Sequence, residues 1–253
     1  MNYTMITGAS AGIGEAFAKQ LAQSGSHLIL VARRKEKLDA LAKELSEQYG
    51  VQIETLSVDL SASGSSENLA QQVTEAGWSI NGLINNAGIG DRGSFMDLSL
   101  DRQLQMIQLN VTSLIELTHR LLPNILKQQQ PYIINVASTA AFQAGPNMTI
   151  YYATKAFVLS FSEALYEELS DKGVSVSALC PGATASEFAA EANMTDTKLF
   201  KAGAMTAEAV VKKALKNKHR AIVITGWKNI FGVWSGKFTP RSITRKLAGW
   251  LQA

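Results

Sequence analysis

Cysteine occurs once in this chain of 253 residues, proline five times and histidine three times. The lone Cys180 has no internal partner, so the chain is not a disulfide scaffold, and a reducing compartment suits it. His27, His119 and His219 stand apart from one another and from other ligating types, which leaves no spacing for a metal site. No apolar run approaches the ~18 residues of a membrane-spanning helix. The sequence opens on apolar Tyr3–Ile6 with no basic stretch before it, which argues against a secretory leader and makes the cytoplasm the expected location. The interleaved aromatic and basic residues of a nucleic-acid-binding sheet are missing as well. Acid is absent from the last stretch: none follows Glu208, whereas ten lysines and arginines do. The first 208 residues therefore hold 14 of the 24 basic and all 21 acidic residues, a net of −7.

Apolar material is plentiful, at 46% hydrophobic residues, and it is patterned. Residues 3–7, 28–32, 53–58, 83–86, 133–137, 174–179 and 221–225 read as buried strands rich in Val, Ile and Leu. Amphipathic helical stretches separate them; in one, Leu38, Leu41, Ala42 and Leu45 share a face. Strands alternating with helices require crossovers and hence a parallel sheet. The expectation is an α/β chain: one doubly wound Rossmann domain over residues 1–253, with a mostly seven-stranded parallel sheet and helices on both faces.

After the first strand comes Gly8-Ala9-Ser10-Ala11-Gly12-Ile13-Gly14, and a helix is expected from about Glu15. Glycines there permit a sharp turn and close approach of backbone to a pyrophosphate, which the helix amino terminus favours. A bare glycine triplet also suits any tight strand-to-helix turn; the flanking strand and helix favour the dinucleotide. At the end of the second strand an acid would bind the ribose hydroxyls of NAD, but this chain has Arg33-Arg34-Lys35. Guanidiniums at that corner suit a 2′-phosphate, so NADP(H) is the preferred cofactor, with NAD(H) as the alternative. Lys35 and Lys37 read as solvated.

Further polar residues gather where strands end. Asn85-Asn86-Ala87-Gly88 follows the fourth strand, Ser138 the fifth and Pro181-Gly182 the sixth; Asn110 and Tyr151-x-x-x-Lys155 lie on helices. Open α/β sheets build ligand sites at the carboxyl ends of their strands. Residues 1 to about 226 resemble the short-chain dehydrogenase/reductase family in these motifs and their order, including the wider glycine spacing, and resemble its NADP-preferring, carbonyl reductase-like members. Ala11 departs from the Lys or Arg that NADP-using members often carry before the middle glycine.

The chemistry follows from the residues. Tyr151 and Lys155 share a helix face. A phenol titrates near ~10, and a neighbouring ammonium would favour its phenolate. Tyr151 is thus the expected general acid/base, and Ser138 the hydrogen-bond donor to the same substrate oxygen. The resemblance implies more. Lys155 would also hold the nicotinamide ribose, and Asn110 would position a water linking Lys155 to solvent, unless it is simply bonded to backbone. Gly8, Ser10, Gly12, Ile13, Gly14, Asp59, Leu60, Asn86, Ala87, Gly88, Pro181, Gly182, Thr184 and Ser186 would line the cofactor, with Ser186 standing where threonine is usual.

Residues 186–205, with Phe188, Met194, Leu199, Phe200 and Met205, lie where the family places a substrate lid. Their apolar side chains suit a lipophilic small-molecule carbonyl or alcohol. The extension over 227–253 mixes Trp227, Phe231, Trp234, Phe238 and Trp250 with basic residues. It reads first as a segment folded over its own or a neighbouring subunit, and second as a contact for a membrane surface, an acyl carrier or a coenzyme A ester. The family's usual assembly implies a dimer or tetramer through helices around 100–128 and 149–171. The expected activity is NADP(H)-dependent carbonyl–alcohol interconversion. A cofactor-sensing regulator without turnover, and a lyase or epimerase, are the alternatives.

Overall fold

In the computed structural model the described residues are 1–201 and 203–252, without the side chain of Leu199; that lid residue lies outside them. The chain runs β1 (Asn2–Thr7), α1 (Gly12–Gln23), β2 (His27–Ala32), α2 (Lys35–Tyr49), β3 (Ile53–Ser57), α3 (Ser65–Glu75) and β4 (Ser79–Asn85). Next come α4 (Leu100–Ile107), a π-helical turn (Gln108–Thr112), α5 (Ser113–Ile125), β5 (Tyr132–Val136), a 3₁₀ turn (Thr139–Phe142), α6 (Thr149–Ser170) and β6 (Ser175–Cys180). The remainder is β7 (Thr184–Ala185), α7 (Glu187–Glu191), α8 (Lys198–Lys201), β8 (Met205–Thr206), α9 (Ala207–Lys216), β9 (Ile222–Ile224), α10 (Trp227–Phe238) and α11 (Arg241–Gln252).

Seven strands form one sheet in the order β3-β2-β1-β4-β5-β6-β9, every neighbouring pair parallel. Side chains alternate across it. Ile6, Leu28, Leu30 and Ile134 pack with α1, α2 and α9 on one face, while Met5, Ile29, Val31 and Ile133 pack with α3, α5 and α6 on the other. Strands covered on both faces are apolar on both, which is why they read as continuous runs.

Most strand bounds lie within a residue of expectation; two starts differ by about three or four, and one pairing is new. Strand β4 begins at Ser79 rather than Leu83, because its first half is not apolar: a Cβ on Gly82 would lie 2.6 Å from the Tyr132 ring. Helix α1 begins at Gly12 rather than near Glu15, so two of the glycines lie inside its first turn. The short parallel ladder β7–β8, pairing Thr184 with Met205 and Ala185 with Thr206, was not expected at all. It joins the two ends of the lid segment.

The carboxyl-terminal extension folds over its own subunit. Ala248 of α11 is buried, and a Cβ on Gly249 would meet the Pro146 ring at 3.3 Å. Arg92 ties lid to tail: its guanidinium donates to the Asn193 carbonyl at 2.6 Å, to the Gln252 carbonyl at 2.9 Å and to the Asp196 carboxylate at 2.7 Å.

Candidate active site

The glycine turn is built to leave N–H groups open. Gly8 and Gly12 take φ of 65° and 57°, a region that side chains disfavour. A Cβ on Gly14 would run into the Gly8 carbonyl. Asn86 braces the turn, its side-chain amide donating to the carbonyls of Thr7 at 2.9 Å and Gly8 at 3.2 Å. Thr7 Oγ1 accepts from the backbone N–H of Asn86 and of Ala87, at 2.9 and 3.0 Å. No side chain caps α1 at Ala11, so the helix end offers unsatisfied donors to an anion. This cradle fits a dinucleotide pyrophosphate.

The two arginines divide their work. Arg34 reaches back to Ser10, with Nε 3.2 Å from Oγ, and forward to Glu187 at 2.7 Å. Glu187 also accepts from Lys37 at 2.8 Å, so Lys37 is ion-paired rather than merely solvated. Lys35 pairs with Asp39 along its own helix. Hydrogen bonds from Lys37 and then Arg34 hold the Glu187 carboxyl below its ordinary pKa. Arg33 is exposed at the same rim and remains open to a ligand. Burial resists ionisation of Asp59, but hydrogen bonds from Ser61 and the Arg33 charge outweigh it and keep Asp59 below the usual carboxylate range. The set accommodates both an adenosine and a phosphate dianion.

Tyr151 is buried in the first turn of α6. Burial raises its phenol above the ordinary value, and a Ser138 hydrogen bond offsets this only in part. The expected lowering by Lys155 is not what the protein's own groups produce. Lys155 is also buried, which brings its pKa down to about 8, and its Nζ donates to the Val136 carbonyl at 2.8 Å rather than to the phenol. It stands 5.8 Å from the centre of the Tyr151 ring. Ser138 follows β5 and caps the 3₁₀ turn, where its Oγ accepts from the Ala140 N–H at 3.1 Å.

Asn110 sits in the π-helical turn, a local widening often found at functional sites. Its side chain is wholly engaged: Oδ1 accepts from the Ile89 N–H at 2.9 Å, and Nδ2 donates to the Ile89 carbonyl at 2.9 Å and to Thr154 Oγ1 at 3.1 Å. Gly88 lies between it and the lysine, since a Cβ there would be 3.1 Å from Asn110 Oδ1 and 3.6 Å from Lys155 Nζ.

These residues line one cavity of about 300 Å³. Of the sequence-derived set, Gly14 and Asn110 stand behind the wall and the others face it. Phe188, Met194 and Phe200 of the lid segment also line it, and the Phe188 ring lies 5.6 Å from that of Tyr151. Met205 instead packs on the core beside β8, because the β7–β8 ladder turns the chain back to the sheet there. Sequence reasoning missed Tyr152, Glu187, Leu251 and Gln252 in this wall. It also missed Asn229, whose side chain packs on Gly182. Gln252 is buried, donates to the Tyr152 hydroxyl at 2.8 Å, and leaves its Oε1 without a partner among the described residues. No local sequence pattern marks a single glutamine that far along the chain.

The sequence profile of the short chain dehydrogenase family matches residues 2–197. The chain belongs to that family, and so among the oxidoreductases. It is 37% identical over 185 residues to a very-long-chain 3-oxoacyl-CoA reductase from Anas platyrhynchos, covering 71% of this chain and 58% of that protein. The chain spans under two thirds of the length of four such relatives, 58–61%, and 71–73% of three others. Among solved structures it resembles a short-chain dehydrogenase from Sphingobium yanoikuyae in complex with NADPH, at 34% identity and TM-score 0.81, covering 94% of this chain and 95% of the other. It also resembles the bulky-bulky ketone specific alcohol dehydrogenase from Comamonas testosteroni, at 30% identity, TM-score 0.77 and 94% of both chains.

Proposed function

We propose that the protein reduces a carbonyl on a bulky lipophilic small molecule with NADPH, Tyr151 delivering the proton. The observation that carries this is the placement of a buried, protonated Tyr151 beside Ser138, under the apolar cover of Phe188, Met194 and Phe200. Bound along the glycine turn, NADPH supplies the hydride. Arg33 would hold its 2′-phosphate, the open N–H groups of α1 its pyrophosphate, and Asp59 its adenosine. The phenol of Tyr151 gives its proton to the carbonyl oxygen, to which Ser138 Oγ donates a hydrogen bond as negative charge develops. Lys155, which burial brings to about 8 and which lies 5.8 Å from the centre of the Tyr151 ring, exchanges protons close to neutral pH and would replace the one the phenol gives up. Asn110 holds the Gly88–Ile89 backbone against the lysine, and the solvent link implied by the family resemblance would pass here.

On the lid side the cavity is walled by Phe188, Met194 and Phe200, which suits a lipophilic substrate better than a sugar. The relatives that act on 3-oxoacyl-CoA esters and bulky ketones support the same class. Convergence of Ser138, Tyr151 and Lys155 favours turnover over cofactor sensing. Exposed Leu100, Leu104 and Ile107 on α4, and Phe157 on α6, support a dimer through these helices.

The test follows NADPH oxidation with a panel of ketones, aldehydes and 3-oxoacyl esters, using the protein and Tyr151→Phe. Removing the proton donor should lower kcat by roughly 10²–10⁴-fold with cofactor affinity retained. Tight NADPH binding with no turnover on any carbonyl would return the sensor reading.

A further inference from the structure

Helices α10 and α11 each turn an apolar face away from the protein. Trp227, Ile230, Phe231, Trp234 and Phe238 fall within ~100° of the circumference of α10 at 3.6 residues per turn. All five are exposed, Trp227 by 75%, Phe231 by 72% and Phe238 by 82%. The inward side of the same helix carries buried Val233, and Asn229 packed on Gly182. On α11, Ile243, Leu247 and Trp250 are exposed, opposite buried Ala248 and Gln252. Single exposed apolar side chains are ordinary; two helices that each display a full row of them are not.

The side-chain charge carried by these two helices has one sign. Lys228 and Lys237 border the α10 row on its two sides, and the Lys237 ammonium lies 5.1 Å from the Trp234 ring centre. Arg241, Arg245 and Lys246 are exposed on α11. No carboxylate follows Glu208 to neutralise them. A second copy seated on the same patch would set these cations against one another with no acid of either patch to receive them. A bilayer with anionic headgroups supplies both the countercharge and an apolar bed, and tryptophan suits the boundary between the two. No helix among the described residues is long and apolar enough to cross a membrane, so contact is in the plane of the surface.

We propose that α10 and α11 form a docking surface for an anionic lipid bilayer. This places the protein on a membrane surface rather than free in the cytoplasm. Docking itself needs no turnover. Its value for catalysis rests on the reductase reading: Leu251 and Gln252, on the same helix as the exposed row, line the substrate cavity, so docking would set that cavity beside a store of lipophilic substrate.

The experiment is flotation of the full chain, without cofactor or substrate, with vesicles of phosphatidylglycerol and phosphatidylcholine, against phosphatidylcholine alone. Its independence from activity keeps a failure here distinct from a failure of the reductase reading. The protein should float with the anionic vesicles only, release as salt rises, and show a blue shift of tryptophan emission. The triple variant Trp227→Ser/Phe231→Ser/Phe238→Ser should lose binding more than tenfold with unchanged thermal unfolding, and Lys228→Gln/Lys237→Gln should weaken it severalfold. Absence of flotation at low salt, equal binding to neutral vesicles, or full binding by the triple variant would overturn the proposal. So would a dimer that the triple variant dissociates without any vesicle binding by the parent protein, which would assign the patch to a second copy.

Discussion

The side-chain amide of Gln252 donates a 2.8 Å hydrogen bond to the hydroxyl of Tyr152, the neighbour of the proton-bearing Tyr151. A residue of the tail thereby closes a cavity whose other walls belong to the sheet ends and the lid segment. Gln252→Ala removes both this bond and the free Oε1. The expected result is a change in KM for bulky ketones of severalfold or more with NADPH affinity unchanged, and a stability loss of about 1 kcal/mol. Steady-state kinetics with ketones of graded size, set beside cofactor titration, decide it; an unaltered KM across the series would leave Gln252 with a structural role alone.

Cofactor choice turns on Arg33, because Arg34 is already held by Ser10 and Glu187. Arg33→Ala should weaken NADPH binding at least tenfold and leave NADH binding nearly unchanged. Glu187→Gln removes a negative charge from the rim and should tighten NADPH binding a few-fold. Calorimetric titration with both cofactors reads out the two effects, and equal losses for NADPH and NADH in Arg33→Ala would refute the phosphate assignment.

Stability should vary with pH through Lys155. Its pKa is about 8 folded against 10.5 unfolded, so between these values the unfolded chain holds a proton that the folded chain lacks. Stability therefore rises with pH across that window. Tyr151 acts oppositely: its raised pKa means that stability falls above about pH 10, as the unfolded phenol ionises. Lys155→Met should abolish the rise and, at pH 7, stabilise the cofactor-free protein by on the order of 2 kcal/mol, the burial penalty less the bond to Val136. Thermal unfolding at stepped pH tests this; a profile for the variant that still climbs from pH 8 would assign the slope elsewhere.

Asn110→Leu breaks three buried hydrogen bonds to Ile89 and Thr154. The cost should be about 3 kcal/mol, with the Ile89 backbone left partly unsatisfied. Asn110→Ser keeps some polarity, so its stability should recover while its pH–rate profile shifts if Asn110 also serves the lysine. An unshifted profile in a stable Asn110→Ser protein would confine the residue to bracing.

The sheet was legible because its inner strands are buried on both faces, and the site because Asn86, Ser138 and Pro181 stand where strands end. What escaped depends on the path of the chain far from those motifs. Glu187 meets Arg34 only because α7 folds back across the glycine turn, and Arg92 acquires its role only once lid and tail have both packed beside it. The Tyr151–Lys155 spacing correctly puts both groups on one face. It carries no information about the Val136 carbonyl that claims the ammonium. The tail, read first as a packed segment and second as a surface for partners, has one packed face and one exposed apolar face.

The ladder between Thr184 and Met205 has a consequence for engineering and descent. Because the two ends of the lid segment meet as paired strands, the stretch between them is a cassette with a fixed footprint. Its length and composition can vary without displacing the two paired strands, provided that the bonds of Glu187 to Arg34 and of Asn193 and Asp196 to Arg92 are kept. Substrate range can then diverge while the hydride and proton machinery stays as it is.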